Sequence, residues 1–290
     1  MSGLFVAIET GGTKILCRVV EAAGAVRSEV RLPTTSPAHA ARDLIGAIEA
    51  ARGGAVIAGI GIASFGPVIV DPASPDYGAI QATPKPGWQG FNLVRTLRER
   101  FDCPVAIDTD VNLAARAEQA SGAGAGCRAV AYVTVGTGIG GGFVVDGRPL
   151  NGALHPEIGH LPLLRLPGDD HPSTCPFHTD CAEGLAAGPA LRARLGPHLA
   201  LEDAPQVRAL LADYIGQLAA SLVLAWSPDR IVLGGGVMAA GDMIEDIARR
   251  MRDRLNGYAA FADGPGYVVA AALENAGLEG ALLLARAARP

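Results

Sequence analysis

The chain has 290 residues, 49% of them hydrophobic and 18% charged, with a formal net charge of −5. That length lets one large domain or two lobes each bury a core, and the composition excludes a disordered chain. There is no basic run of the kind that follows nucleic-acid phosphates, so nucleic acid is not an expected partner. No charged, apolar leader opens the sequence, and no apolar run approaches the ~20 residues that span a bilayer. No membrane association and a cytoplasmic location are therefore expected. The five cysteines, an odd number, argue against a disulfide framework. Cys17, Cys103 and Cys127 lie in or beside apolar strand-like stretches and read as buried thiols, whereas Cys175 and Cys181 lie close together in a polar stretch.

In chain order, Leu4 to Ile8 reads as a strand, Glu9-Thr10-Gly11-Gly12-Thr13-Lys14 as a turn, and Ile15 to Val20 and Val26 to Leu32 as further strands. His39 to Arg52 has helical spacing, with Leu44, Ile45 and Ile48 on one face, and Ala55 to Ala63 is a buried strand. Ser64 to Trp88 is long, irregular and rich in Pro and Gly, a length that within a compact domain points to function. A helix at Phe91 to Phe101, a strand at Val105 to Ile107 and a helix at Val111 to Ala120 follow. The opening pattern then returns: strand Val130 to Val135, turn Gly136-Thr137-Gly138, strand Gly140 to Val145. Beyond His178 the chain is more helical. Gln206 to Trp226 reads as a long helix, Arg230 to Leu233 as a strand ending in Gly234-Gly235-Gly236, and helices near Ile244 to Leu255 and Gly277 to Ala287 flank a strand at Tyr267 to Ala270. The mixed order gives an α/β fold. The repeated strand-turn-strand unit gives a duplicated, two-lobe architecture, divided as residues 1–112 and 113–290, with a ligand between the lobes.

Three glycine clusters are candidate phosphate or nucleotide sites. In the first, Gly11, Gly12 and Thr13 offer unobstructed N–H groups and a hydroxyl, and Lys14 an ammonium. Thr134 to Gly142 offers the same through Thr134, Gly136, Thr137 and Gly138. Gly234 to Gly236, between a strand and a helix, stands where adenosine or another ligand often docks. The plainer alternative is three ordinary turns. Asp110 lies at a strand end just before a helix. It reads as an N-cap, as a general base for a sugar hydroxyl, which a helix N-terminus would keep ionised, or as both at once. Cys175-Pro176-Phe177-His178-Thr179-Asp180-Cys181 supplies three zinc donors in one short loop, and spacing leaves the fourth open between His160 and His171. Glu157 and Glu183 flank that loop and could accept hydrogen bonds from sugar hydroxyls.

These residues resemble the ROK family (repressors, open reading frames and sugar kinases), and in particular its bacterial fructokinase branch. Glu9 to Lys14 and Thr134 to Gly142 look like the family's two phosphate motifs. Thr109-Asp110-Val111-Asn112 looks like the Asn-Asp-x-Asn that carries its catalytic Asp. His155-Pro156-Glu157-Ile158-Gly159-His160, with the Cys/His loop, resembles its zinc-and-sugar motif. Ser64-Phe65-Gly66-Pro67, Thr83-Pro84-Lys85-Pro86-Gly87-Trp88 and the presence of His178 resemble the fructokinase branch. Glu9 stands where many relatives carry Asp, and Thr109 where they carry Asn. The resemblance implies two lobes of the actin-like ATPase fold closing over ATP and sugar, with transfer of phosphate from ATP to fructose. It further implies magnesium with the nucleotide, and structural zinc on His160, Cys175, His178 and Cys181. Asp110 would be the base, and Pro67, Asn112, Glu157, His160 and Glu183 the sugar contacts. A homodimer is expected. A broader hexokinase, glucokinase or mannokinase is the near alternative. A sugar-responsive repressor is the distant one, and the helix-turn-helix it needs has no room before Leu4.

Overall fold

The computed structural model describes residues 3–83, 85–196, 200–239 and 243–288, which form two compact units. The first comprises residues up to Ala117, Leu150–His155 and the chain from Asn275 onward; the second comprises Glu118–Pro149 and Pro156–Glu274.

The first unit is built on strands β1 (Leu4–Thr10), β2 (Lys14–Glu21), β3 (Val26–Pro33), β4 (Ile57–Ser64) and β5 (Val105–Thr109), in sheet order β3-β2-β1-β4-β5. β1, β2 and β3 pair antiparallel as a meander, and β4 and β5 join parallel to β1. Side chains alternate across a strand, so β1 feeds two cores. Leu4, Val6 and Ile8 pack with Ile60 and Ile62 of β4 and with Leu44 and Ile48 of helix α1 (Pro37–Arg52). Helix α2 (Leu93–Arg100) adds Leu93, Val94 and Leu97 to that face. Full burial of such an aliphatic side chain is worth about 1.5–3 kcal/mol. On the other face Ala7 and Ala63 meet Leu113 of helix α3 (Asp110–Ser121) and Leu278, Ala281 and Leu282 of the C-terminal helix (Ala276–Ala287). Small residues make this possible: a Cβ on Gly61 would overlap the Ala281 carbonyl oxygen, so helix and strand backbones lie in contact.

The second unit repeats the plan. It contains β6 (Ala129–Val135), β7 (Ile139–Val145), β8 (Arg148–Pro149), α4 (Ala182–Ala186), α5 (Gly188–Leu195), α6 (Pro205–Trp226), β9 (Arg230–Gly234), α7 (Gly236–Ala239), α8 (Ile244–Leu255) and β10 (Val268–Ala270). Its sheet order is β10-β9-β6-β7-β8. β6, β7 and β8 form the antiparallel meander, with β9 and then β10 parallel beside β6. Strand for strand this is the first sheet again, so the duplication expected from two short turns extends through five strands.

Three expectations need correction. The division at 112/113 is replaced by interleaved units, because the C-terminal helix buries its apolar face on the first sheet and not on the second. α6 is long and apolar enough, by length and composition, to cross a membrane, contrary to the expectation that no stretch approached that length. Two-thirds of its window (67%) is buried inside the unit, where Tyr214, Ile215 and Leu218 are core residues. Of the three isolated thiols only Cys17 is fully buried; Cys103 and Cys127 are half-buried. Elsewhere boundaries move by a few residues. The helix expected from Phe91 begins at Leu93, because the Asn92 side chain accepts the Arg95 N–H at 2.9 Å and caps it there.

Candidate functional site

In the first unit the turn after β1 is closed by the Gly11 N–H donating to the Lys14 carbonyl at 2.8 Å. It is pinned from outside by the Thr34 hydroxyl on the Gly11 carbonyl at 2.9 Å. Among the described residues the Gly12 and Thr13 N–H groups donate to nothing, and a Cβ on Gly12 would meet open space. The turn is thus a backbone donor surface held from behind, with the Lys14 side chain beside it.

At the start of α3 the capping bond belongs to Thr109, whose hydroxyl accepts the Asn112 N–H at 3.1 Å. Asp110 is therefore not the cap, and its Oδ1 accepts the adjacent Val111 N–H at 2.9 Å. Nor does the helix start keep it strongly acidic. Burial, and then repulsion from Glu9, push the Asp110 carboxyl up to about 7, against the pull of the Val111 N–H and Lys85. This corrects the expectation of a firmly ionised carboxylate. Glu9 is raised for the same first reason, burial, with Lys14 and the Leu278 N–H opposing. Its Oε2 is buried with no hydrogen-bond partner among the described residues.

Asn112 is completely buried, and its Nδ2 donates to Asp108 Oδ1 at 2.8 Å and to Asn151 Oδ1 at 2.9 Å. Its Oδ1 has no partner among the described residues, leaving an acceptor suited to a hydroxyl or amide donor. Pro67 follows a cis peptide bond. The next residue, Val68, is tied by its N–H to His155 Nε2 at 3.1 Å, which fixes the stretch after β4. Pro84 lies outside the described residues. Its neighbour Lys85 stands on the Phe65 ring, and Trp88 packs edge-on against the same ring at 5.2 Å.

In the second unit the turn after β6 is closed by Gly136 N–H on the Gly138 carbonyl at 2.9 Å and braced by Gly188 N–H on the Gly136 carbonyl at 2.7 Å. The Thr137 and Gly138 N–H groups donate to no described group. A Cβ on Gly235, which has φ of 91°, would lie 2.7 Å from Thr134 Oγ1 and overlap the Val135 carbonyl. Only glycine lets the Gly234-Gly235-Gly236 turn lie directly on the Thr134 to Gly138 turn, so this unit brings its two glycine clusters together. Glu183, in the first turn of α4, accepts the Ile139 N–H at 3.0 Å. Its charge also reaches Glu157, which precedes the short 3-10 turn Ile158–His160. Loss of water around the Glu157 carboxyl, and then Glu183, push that carboxyl up to about 7.

His160, Cys175, His178 and Cys181 place one donor atom each within 4.8 Å of all the others. Cys175 Sγ lies 3.8 Å from His160 Nδ1 and 3.6 Å from His178 Nδ1; Cys181 Sγ lies 3.8 Å from His160 Nδ1. A tetrahedral zinc with ordinary Zn–S and Zn–N bonds spaces sulfur and nitrogen about 3.6 Å apart. The donor set and spacing therefore fit zinc. His171 is outside the cluster, its Nδ1 3.2 Å from the Pro172 carbonyl, which settles the alternative that spacing had left open. Cys181 is buried at the start of α4 and accepts the Gly184 N–H at 3.3 Å. The Cys/His loop is thereby anchored to the helix that carries Glu183.

Sequence reasoning missed two residues. Asn151 joins the Asp108–Asn112 network from a short segment that returns to the first unit, and no sequence pattern marks it. Lys85 stood within a quoted motif, but its charge was not read as part of the site.

Comparison with known proteins agrees with this reading. The ROK family model matches residues 5–288. A fructokinase of Pediococcus pentosaceus is 41% identical over 286 residues, covering 97% of each chain. A fructokinase of Zymomonas mobilis is 41% identical over 288 residues, 97% of this chain and 96% of the other. A ROK hexokinase of Thermus thermophilus shares the fold with a TM-score of 0.78 at 32% identity, over 98% of each chain. A ROK glucokinase of Streptomyces griseus, solved with glucose and AMPPNP, gives 0.73 at 26% identity, over 98% of this chain and 100% of the other. With two like-ordered sheets of the actin-like ATPase fold and a family match along nearly its whole length, the chain belongs to the ROK family.

Proposed function

We propose that the protein is an ATP-dependent sugar kinase that converts fructose to fructose 6-phosphate. The observation that carries the kinase reading is the repeated turn. Each unit presents glycine and threonine amides without acceptors among the described residues at the end of its central strand, and backbone donors of this kind suit phosphate oxygens. Fructose as acceptor rests on the fructokinases at 41% identity.

Asp110 is the proposed base. As the O6–P bond forms, the bond from the γ-phosphorus to the β,γ-bridging oxygen breaks, and its electron pair leaves with ADP. The hydroxyl proton passes to the Asp110 carboxylate and then to solvent. A carboxyl near 7 is well matched to that exchange at neutral pH. The amides of Gly12 and Thr13, with Lys14, and those of Thr137 and Gly138, with the Thr134 hydroxyl, hold phosphate oxygens, while the Gly11 and Gly136 amides close the two turns behind them. Gly234 to Gly236 receive the adenosine. Asn112, Glu157 and Glu183, with Pro67 and His160, orient the sugar; positioning and electrostatic stabilisation then supply most of the acceleration. Magnesium, when bound with the nucleotide, neutralises phosphate charge; the partnerless Glu9 Oε2 suits one of its water ligands. Zinc on His160, Cys175, His178 and Cys181 would be structural, since four protein donors leave no open position. It would pin the carboxylate-bearing elements on either side of the loop. A cytoplasmic enzyme acting as a homodimer completes the proposal.

The test is a coupled ATP assay across fructose, mannose and glucose, on enzyme as purified and after chelation. Fructose is expected to give the highest kcat/KM. A preference for glucose would move the assignment to a broader hexokinase, and failure with every sugar would remove the kinase reading.

A further inference from the structure

Lys85 has an unusual setting for a lysine. Its Nζ lies 3.0 Å from the centroid of the Phe65 ring. Phe65 is itself buried and is braced edge-on by Trp88 at 5.2 Å, and Trp88 by Phe91 at 5.6 Å. The Trp88 indole N–H donates to the Thr35 carbonyl at 3.1 Å, and the Trp88 backbone N–H to the Lys85 carbonyl at 3.3 Å. An aromatic wall with its own hydrogen bonds thus fixes where the ammonium stands. The ring quadrupole attracts a cation on such a face but leaves its charge unneutralised.

No carboxylate completes the job. Among the described residues Lys85 forms no ion pair and its ammonium makes no hydrogen bond. The anion that feels it is Asp110, at the start of α3; Glu9 of β1 acts on Asp110 in turn, and Lys14 of β2 acts on Glu9. Burial outweighs the attraction of Asp110 and brings the ammonium down to about 8. A solvated surface lysine would show none of this, and a structural one would close on a carboxylate. A half-desolvated ammonium held on a ring, short of its nearest anion, is arranged for an anion that arrives with the ligand.

Resting on the kinase reading above, we propose that Lys85 is a catalytic residue that binds the phosphoryl group in transit beside Asp110 and afterwards the phosphate of the sugar product. Charge in this transition state spreads over three phosphoryl oxygens, and a preorganised cation in a partly dry site stabilises it more than it stabilises the neutral sugar. The same cation favours the ionised form of Asp110 that can accept a proton.

Lys85→Met keeps the aliphatic stem on Phe65 and removes the charge. It is expected to lower kcat on the order of 10²-fold and to raise the dissociation constant of fructose 6-phosphate about tenfold. KM for fructose should stay within roughly threefold, since neutral sugar binding is not the target. The acid limb of kcat/KM should move to higher pH, and Lys85→Arg should recover part of the loss. Parent-like kcat and product affinity in Lys85→Met would overturn the proposal. So would a fall in kcat with no change in product affinity or pH limb, which is how a merely structural role reads. A second measurement uses the parent protein alone: competitive acetylation of lysines, followed by peptide mass analysis, with and without fructose 6-phosphate or inorganic phosphate. Protection of Lys85 is expected, and none at saturating ligand would overturn the proposal even if the variant fails to fold. A parent enzyme that phosphorylates no sugar would defeat the kinase reading instead, and protection by inorganic phosphate would still decide the anion site.

Discussion

Replacing Asp110 by Asn should make the protein a poorer enzyme and a more stable fold, to a degree set by pH. The carboxyl is raised from 3.8 to about 7, with burial the first cause and Glu9 the second. A raised carboxyl means that the folded chain holds its proton more tightly than the unfolded one. Ionising it therefore costs stability. The cost is absent below about pH 4, accumulates as pH climbs from the ordinary value towards 7, and is complete above 7. At about 1.4 kcal/mol for each tenfold change in proton affinity, the full cost is about 4 kcal/mol. That is a ceiling, because the residue keeps part of its surface accessible. Asn fills the same volume and cannot ionise. Calorimetry should find the variant up to roughly 10 °C more stable than the parent at pH 8.5, with less than about half that gain at pH 5. Turnover should fall by about 10²- to 10⁴-fold while sugar still binds. Equal gains at both pH values would refute the burial argument, and turnover within a few-fold of the parent would remove Asp110 as the base.

Three further perturbations test other parts of the site. Purified protein should carry zinc, and Cys181→Ser, at a buried donor beside α4, should abolish it and lower the melting temperature by several degrees; metal analysis and calorimetry read both, and full stability in verified zinc-free parent protein would count against a structural metal. Glu183→Gln removes the charge that helps to raise Glu157, so the Glu157 carboxyl should titrate at lower pH while KM for sugar rises about tenfold or more; carbon NMR of the carboxyl and steady-state kinetics measure these, and an unmoved Glu157 would deny the coupling. Gly61→Val should destabilise the first unit by several kcal/mol, because even a methyl group overlaps the Ala281 carbonyl; a chemical denaturation midpoint unchanged from the parent would mean that the strand and helix do not touch there.

Much of the site was legible because its chemistry is local in sequence. The turns at Gly11 to Lys14 and Gly136 to Gly138 each sit in a hairpin whose strands pair with their immediate neighbours, so short-range pattern was enough. Three candidate metal donors lie within seven residues, but the fourth came only from resemblance, since spacing alone could not choose between His160 and His171. What failed was whatever depended on distant segments. Asp110 looked acidic because the helix start was visible and the burial and Glu9 were not. Asn151 was invisible because its partner lies 39 residues away. The boundary at 112 failed because nothing in Gly277, Leu278 or Ala281 says which sheet they will cover.

The return of the C-terminal helix to the first sheet has a consequence for biosynthesis. Ala7, Ala63 and Leu113 emerge early, but the residues that cover them, Leu278, Ala281 and Leu282, are made only after the whole second unit. At about 5–20 residues per second, translating Gly122 to Asn275 takes on the order of ten to thirty seconds. Throughout that interval one face of the nascent β1–β4 pair stays bare, and the first unit cannot complete its core until the second unit has been synthesised.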